Sequence, residues 1–306
     1  MTDLTPDRQQ RWAPAWLAEV SGYATKFASR DIALGEVEPT ALPGLQLWLD
    51  ASKLDGLADT NPVSSWTDMS GNAKHAVQAI GGRQPLYRTG ILNGLPGILY
   101  DGVNDCLQTP EITLGHFTFF CVFKLTGSAG IVYEGASAAV VGHYLFCTTG
   151  DTIQARSAAG TSGKDLSTDW AVDNVARVTS HVSAGTHAGH VLYINGAAQT
   201  LSDAVGRTGD PGAATQADGL NVGARNDGAS FPSAGYIFEL VVYDRALTDV
   251  ERVQIENYLG RKYGIAVSVE TPAPAFYHGR LLGDPAVEVP FFDSFSGTTE
   301  IGRAHV

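Results

Sequence analysis

The chain has 306 residues, a formal net charge of −12 at pH 7, 35 glycines and only 17% charged residues. Because nucleic-acid backbones are bound mainly through Lys and Arg, we expect neither DNA nor RNA as a partner. The N-terminus is polar, and no apolar stretch reaches the length of a membrane span, so we expect no signal peptide and no contact with a membrane.

Residues 1–42 differ from the rest of the chain in their sequence pattern and are predicted to form an N-terminal arm. Thr5 is a suitable helix cap and Pro6 suits the first helical position. Pro14 and Gly22 then interrupt the helical pattern. We therefore expect a short helix or two, followed by extended chain.

Residues 43–267 consist mostly of short apolar runs bounded by Gly, Asn and Asp, a pattern typical of antiparallel strands. In the run from Phe117 to Phe123, Phe120 and Val122 lie on the face opposite to that of their alternating apolar neighbours. Such a strand is buried on both sides, as in a sandwich of two sheets. Trp48 and Trp66 lie in similar surroundings and are predicted to be core residues.

One helix is predicted near the end of this region. Thr248 and Glu251 have the spacing of a capping box, and Gly264 is a suitable end. Beyond it, residues 268–306 form a predicted extended tail that starts with a Pro-rich linker and continues with apolar residues. We expect this tail to dock on another subunit.

Five segments carry a family resemblance. They are LQLWLDAS (Leu45–Ser52), SWTDMSGNAKHAVQ (Ser65–Gln78), LPGILYDGVNDCL (Leu95–Leu107), LYING (Leu192–Gly196) and GYIFELVVYDRALTDVERVQIENYLGRKYGI (Gly235–Ile265). Together they resemble the laminin G-like family of concanavalin A-like jelly rolls, of the type found in phage virion and bacterial surface proteins. The resemblance implies an all-β sandwich of two antiparallel sheets with a helix at its C-terminal end.

Some enzymes on this fold use a Glu-x-Asp-x-x-Glu strand, because acid and nucleophile must flank the scissile bond at about 5 Å. That pattern is absent, as are the motifs of serine hydrolases, zinc proteases and nucleotide-binding proteins. We therefore predict no catalytic residues and a protein that is not an enzyme. The alternative is a glycoside hydrolase or lyase, for which Glu134, Glu239 and Asp244 are the first suspects.

Two Asn-Asp pairs raise the question of calcium. Asn104 with Asp105, and Asn226 with Asp227, resemble the two loops of the pentraxin calcium site, although the second loop lacks the expected Glu-Gln-Asp. Oxygen ligands of this kind suit Ca²⁺. Asn and Asp also occur in turns for conformational reasons alone, so a calcium site and ordinary turns both remain as interpretations.

Metal binding by other side chains is not expected. Cys106, Cys121 and Cys147 lie in apolar runs without metal-type spacing and are predicted to be buried thiols. A glycine-containing turn separates His181 from His187 and His190, and we expect it to scatter the imidazoles.

Carbohydrate recognition requires exposed aromatic rings beside polar groups in loops. Tyr133, Tyr144, Trp170 and Phe231 are the candidates.

The sequence therefore predicts a phage virion structural protein, made in the host cytoplasm, that serves as a tail fibre, spike or head decoration. The lectin-like sandwich contacts a cell-surface glycan, while residues 1–42 and 268–306 bind other virion subunits or further copies of the chain, with a trimer as one candidate assembly. A bacterial glycan-binding adhesin is a further alternative.

Overall fold

The computed structural model describes residues 35–268, with gaps at 128–129, 136–143, 148–151, 160–161, 170–172, 187–188, 201, 204–213, 217–218, 226–227 and 229. For some strand residues, including Tyr144, only the backbone is described. The helix predicted for the arm and the predicted docking of the tail both concern residues outside the described ones. The domain bounds 1–42, 43–267 and 268–306 therefore stay predictions.

The strands are numbered β1 to β19 along the chain, and eight of those described form sheet I. These are β1 (Leu45–Asp50), β4 (Leu86–Leu92), β5 (Leu95–Asp101), β8 (Phe117–Leu125), β13 (Arg177–Ser183), β14 (His190–Ile194), β15 (Ala197–Ala198) and β19 (Ala234–Tyr243). Their order is β15-β14-β13-β8-β19-β5-β4, and β1 also pairs with β19.

Nine further strands of the described chain form sheet II. These are β2 (Ser65–Trp66), β3 (Ala76–Val77), β6 (Leu107–Gln108), β9 (Gly130–Gly135), β10 (Tyr144–Cys147), β11 (Thr152–Ala159), β12 (Ser162–Asp169), β16 (Ser202–Asp203) and β18 (Leu220–Val222). Their order is β16-β12-β11-β10-β9-β18-β6-β3-β2. The short strands β7 (Ile112–Leu114) and β17 (Ala214–Gln216) pair with each other.

The main hydrophobic core lies between the two sheets. On β8, Phe117, Phe119 and Phe123 belong to this core, whereas Phe120 and Val122 belong to a second core on the other face of sheet I. The prediction that this strand is buried on both sides is confirmed. Each fully buried Phe contributes about 2 kcal/mol through removal of apolar surface from water.

The second core is covered by helix α1 (Asp249–Tyr263). Thr248 caps the helix through a complete capping box with Glu251, and Gly264 ends it with a left-handed φ of 67°. Ile255 and Leu259 of the helix belong to this core and are fully buried. The predicted helix is therefore confirmed, including both of its ends.

The fold class is confirmed as a β-sandwich of two antiparallel sheets. Trp48 and Trp66 are both buried core residues, as predicted, and Cys106, Cys121 and Cys147 are buried and free. Within the described part of the chain, no helix is long and apolar enough to cross a bilayer.

Candidate functional site

The candidate site lies on the outer face of sheet II. Tyr133 and Val222 point into the core between the sheets. Because successive side chains of a strand point to opposite faces, their neighbours Glu134 and Asn221 face outward. These two residues are register partners on β9 and β18. Polar side chains therefore occupy the centre of this face.

A buried ion pair is the centre of the site. The Nε of Arg225 donates to both carboxylate oxygens of Glu134, at 2.9 Å and 2.7 Å. The Glu134 side chain is 3% exposed, while that of Arg225 is 23% exposed. Burial raises the pKa of the Glu134 carboxyl, and the hydrogen bond and the charges of Arg225 and Arg156 oppose that rise. Glu134 thus fixes Arg225 from below.

Phe231 lies on this arginine. The guanidinium carbon of Arg225 is 4.9 Å from the centroid of the Phe231 ring, within the range of a cation–π contact. The Phe231 side chain remains exposed, at 46%. Its φ of 49° is in the left-handed region, which bulky residues seldom adopt. We refer to Glu134, Arg225 and Phe231 together as the Phe231 platform.

Backbone hydrogen bonds hold the loop that carries the platform. Arg225 and Ser230 exchange a pair of them, and the carbonyl of Phe231 accepts one from the amide of Ile131 at 2.9 Å. Ser233 donates its hydroxyl to the Ile131 carbonyl at 2.7 Å. The loop is therefore bound to β9, the strand that carries Glu134, and the ring has a fixed position.

The four aromatic candidates have different outcomes. Phe231 is exposed, as a sugar contact requires, whereas Tyr133 is 1% exposed and stacks on Phe119 inside the sandwich, with ring centroids 4.6 Å apart. Tyr133 is a core residue and does not belong to the site. The Tyr144 backbone pairs with Glu134, but its side chain lies outside the described residues, as does all of Trp170.

Two of the four calcium candidates are described. Asp105 is buried and accepts a hydrogen bond from the amide of Asp101 at 2.9 Å, and burial raises the pKa of its carboxyl to about 6. Asn104 is half-buried, and its carbonyl lies against Gly228. Residues 226–227 lie outside the described residues. No group of three or more metal-ligating side chains occurs among the described residues, and the calcium site stays a prediction.

The three carboxylates suspected of catalysis do not converge. Glu134 is on the outer face of sheet II, whereas Glu239 is buried beneath α1 on the outer face of sheet I. Asp244 follows the last residue of β19, is exposed and accepts a hydrogen bond from Gln46 at 2.8 Å. These groups therefore cannot flank one scissile bond.

The histidine prediction needs a correction. His181 and His190 are both buried, and their Nε2 atoms are 2.5 Å apart. The turn between them is tight, since Ala184 and Gly189 share a backbone hydrogen bond, so it brings the rings together instead of scattering them. Nδ1 of His181 also contacts the Tyr133 hydroxyl at 2.9 Å. His187 lies outside the described residues.

Sequence reasoning missed the role of Arg225. Its only local signal is its position just before an Asn-Asp-Gly turn. Its partner Glu134 is 91 residues away in the chain, and the pairing depends on the neighbouring positions of β9 and β18.

No protein-family model matches the sequence, and no curated protein matches it. Among solved structures, the sialidase of Trypanosoma rangeli in complex with sialic acid is 14% identical, with a TM-score of 0.48, over 81% of this chain and 40% of that chain. The binding domain of botulinum neurotoxin serotype D is 12% identical, with a TM-score of 0.45, over 69% and 52% respectively.

A third structure is the CBM40 of the Ruminococcus gnavus IT-sialidase bound to alpha2,3 sialyllactose. It is 16% identical, with a TM-score of 0.35, over 47% of this chain and 83% of that chain. At such identities the similarity concerns the fold alone, and the chain spans only 40% of the length of the sialidase named first. The phage-specific type of the resemblance stays a prediction.

The prediction that the chain is not an enzyme is corrected by these comparisons. The sialidases among the similar structures are enzymes, so the prediction is overturned and withdrawn.

Proposed function

We propose that the chain binds carbohydrate at the Phe231 platform. The observation that carries the proposal is an exposed phenyl ring fixed from below by a guanidinium group, which a buried carboxylate holds in turn. Sugars present apolar faces that stack on aromatic rings, and their hydroxyls bind nearby polar groups. The platform offers both kinds of contact side by side.

The backbone of Phe231 supports a role beyond packing. A bulky residue with a φ of 49° costs free energy, on the order of 1–3 kcal/mol, and such residues are concentrated at ligand-binding sites. Glycine, which has no Cβ, would relieve the strain. The strained backbone holds the Phe231 ring in its exposed position.

Binding of the full chain to an array of oligosaccharides, followed by calorimetry on the best ligand, tests the proposal. Phe231→Ala should weaken binding by about 1–3 kcal/mol, roughly 5- to 150-fold, which is the range that stacking of a nucleobase on an aromatic ring contributes. The matched control is Val250→Ala, which removes an exposed apolar side chain on α1. Equal affinity of Phe231→Ala and the wild type would refute the proposal.

As an extension, we propose that the chain is a virion component whose glycan-binding sandwich is displayed on a fibre, spike or head. Apolar residues of the tail, among them Phe276, Phe291 and Phe292, support attachment to neighbouring subunits or to copies of the chain. Light scattering of the full chain and of residues 43–268 tests this. We expect a multimer that becomes monomeric on trimming, and a monomer in both cases contradicts the extension.

A further inference from the structure

The guanidinium group of Arg225 uses only one of its three nitrogens within the described protein. Nε contacts Glu134, whereas Nη1 and Nη2 have no hydrogen-bond partner among the residues that the structure describes. The side chain is 23% exposed, so water and ligands reach it. Two donor nitrogens in one plane are thus available beside the Phe231 ring.

This fork is fixed in position before any ligand binds. Glu134 holds its Nε edge through two hydrogen bonds, and its central carbon lies 4.9 Å from the centroid of the Phe231 ring. The ligand therefore does not have to order a long, flexible side chain, which reduces the entropy cost of binding.

Two arginines lie near the Glu134 carboxylate, although the chain as a whole is acidic. The charged side chains that act on the Glu134 carboxyl, among the described residues, are Arg225 and Arg156. Arg156 is therefore a second positive charge near the site, beside the guanidinium group of Arg225.

We infer that the site takes an acidic sugar, one whose carboxylate binds the Nη1 and Nη2 fork of Arg225 while its ring stacks on Phe231. A carboxylate matches this fork because both groups are planar and form two parallel hydrogen bonds. Hexuronic acids and sialic acids share this chemistry. The inference rests on the proposed function and names the ligand class of the same site.

The test compares each acidic oligosaccharide with a neutral form of the same sugar, using calorimetry on the full chain at low salt. The pairs are oligogalacturonate with its carboxyl-reduced form, and sialyllactose with lactose, so that the two pairs distinguish the two sources of carboxylate. We expect at least about tenfold tighter binding of the acid in one pair, which corresponds to about 1.4 kcal/mol. The preference should weaken as salt rises.

Substitutions then separate charge from geometry. Arg225→Lys keeps the charge but loses the fork, and it should abolish most of the preference for the acid. Arg88→Lys is the matched control, since Arg88 also binds a carboxylate through Nε, at 3.1 Å from Asp59, on sheet I. If Arg225→Lys does not fold, the double variant Arg225→Gln with Glu134→Gln, which removes both charges of the ion pair together, replaces it and should also lose the preference for the acid.

The outcomes distinguish the inference from the function on which it rests. Equal binding of acid and neutral forms, with Phe231→Ala weakening both, overturns the acidic-sugar inference and keeps carbohydrate binding. Binding of sulfated but not carboxylated sugars also overturns it. Absence of binding to every sugar by a folded wild type overturns both. Loss of the acid preference in Arg225→Lys, but not in Arg88→Lys, supports the inference.

Discussion

The carboxyl groups of Asp50 and Glu239 lie side by side on the neighbouring strands β1 and β19, and both form an ion pair with Lys262. Nζ of Lys262 is 2.6 Å from an oxygen of each. Both carboxylate side chains are fully buried beneath α1. Glu239 also accepts hydrogen bonds from Trp48 Nε1 at 2.7 Å and from the Tyr263 hydroxyl at 2.9 Å. This cluster joins the helix to sheet I.

Removal of the shared cation should destabilise the protein strongly. Lys262→Met leaves two buried carboxylates without their positive partner, and we expect a loss of about 3–5 kcal/mol in the free energy of unfolding. Urea denaturation measures it. Lys53→Met, which changes an exposed lysine, is the control and should lie within about 0.5 kcal/mol of the wild type. A small effect of Lys262→Met would show that the cluster contributes little.

The cluster should also make stability depend on pH. Burial, with the neighbouring charge of Asp50, raises the pKa of Glu239 from 4.5 to about 7. The folded state thus binds this proton more tightly than the unfolded state, so the stabilisation is present below pH 4.5 and is lost as the pH rises through 7. The loss is on the order of 3 kcal/mol.

Glu239→Gln removes this titration while keeping a hydrogen-bonding side chain in place. Unfolding free energies from urea denaturation at several values between pH 4.5 and 8 should fall less steeply in the variant than in the wild type. Equal slopes would contradict the shifted pKa of Glu239.

The helix cap gives a smaller and local prediction. The Thr248 side chain accepts from the Glu251 amide, and the Glu251 carboxylate accepts from the Thr248 amide at 2.9 Å. Thr248→Ala should cost about 1 kcal/mol, since a capping partner is lost. Thr248→Ser keeps the hydroxyl and should retain most of that stability. Thermal unfolding compares the two, and equal losses would argue against the cap.

Tyr133 is predicted to act in the core alone. Tyr133→Phe removes the hydroxyl that contacts His181 and should destabilise the fold by about 1 kcal/mol while leaving carbohydrate affinity unchanged. The control Tyr236→Phe changes a half-buried ring outside this contact. A loss of glycan affinity in Tyr133→Phe without a loss of stability would show that Tyr133 contributes to carbohydrate binding.

Local patterns in the sequence predicted the parts of the fold that local interactions determine. The helix from Thr248 to Gly264 follows from its caps, and the strand around Phe120 follows from alternation. Phe231 could be proposed because it is an aromatic residue in a polar loop. The ion pair that supports Phe231 could not be predicted, because Glu134 and Arg225 are 91 positions apart in the chain.

The contact between His181 and His190 also could not be predicted from local sequence. A glycine-rich turn is compatible with open and tight connections, and only the observed register, with Ser183 opposite His190, brings the His181 ring onto that of His190. Register depends on the burial of whole strands and on turn geometry. Neither can be inferred from a few individual residues.

A crystal structure of the full chain with the tightest oligosaccharide from the array tests carbohydrate binding at the Phe231 platform most directly. We predict one sugar ring stacked on Phe231 at about 4 Å, the distance of van der Waals contact. A well-ordered sugar bound elsewhere, with Phe231 free of contacts to it, would contradict the proposed site.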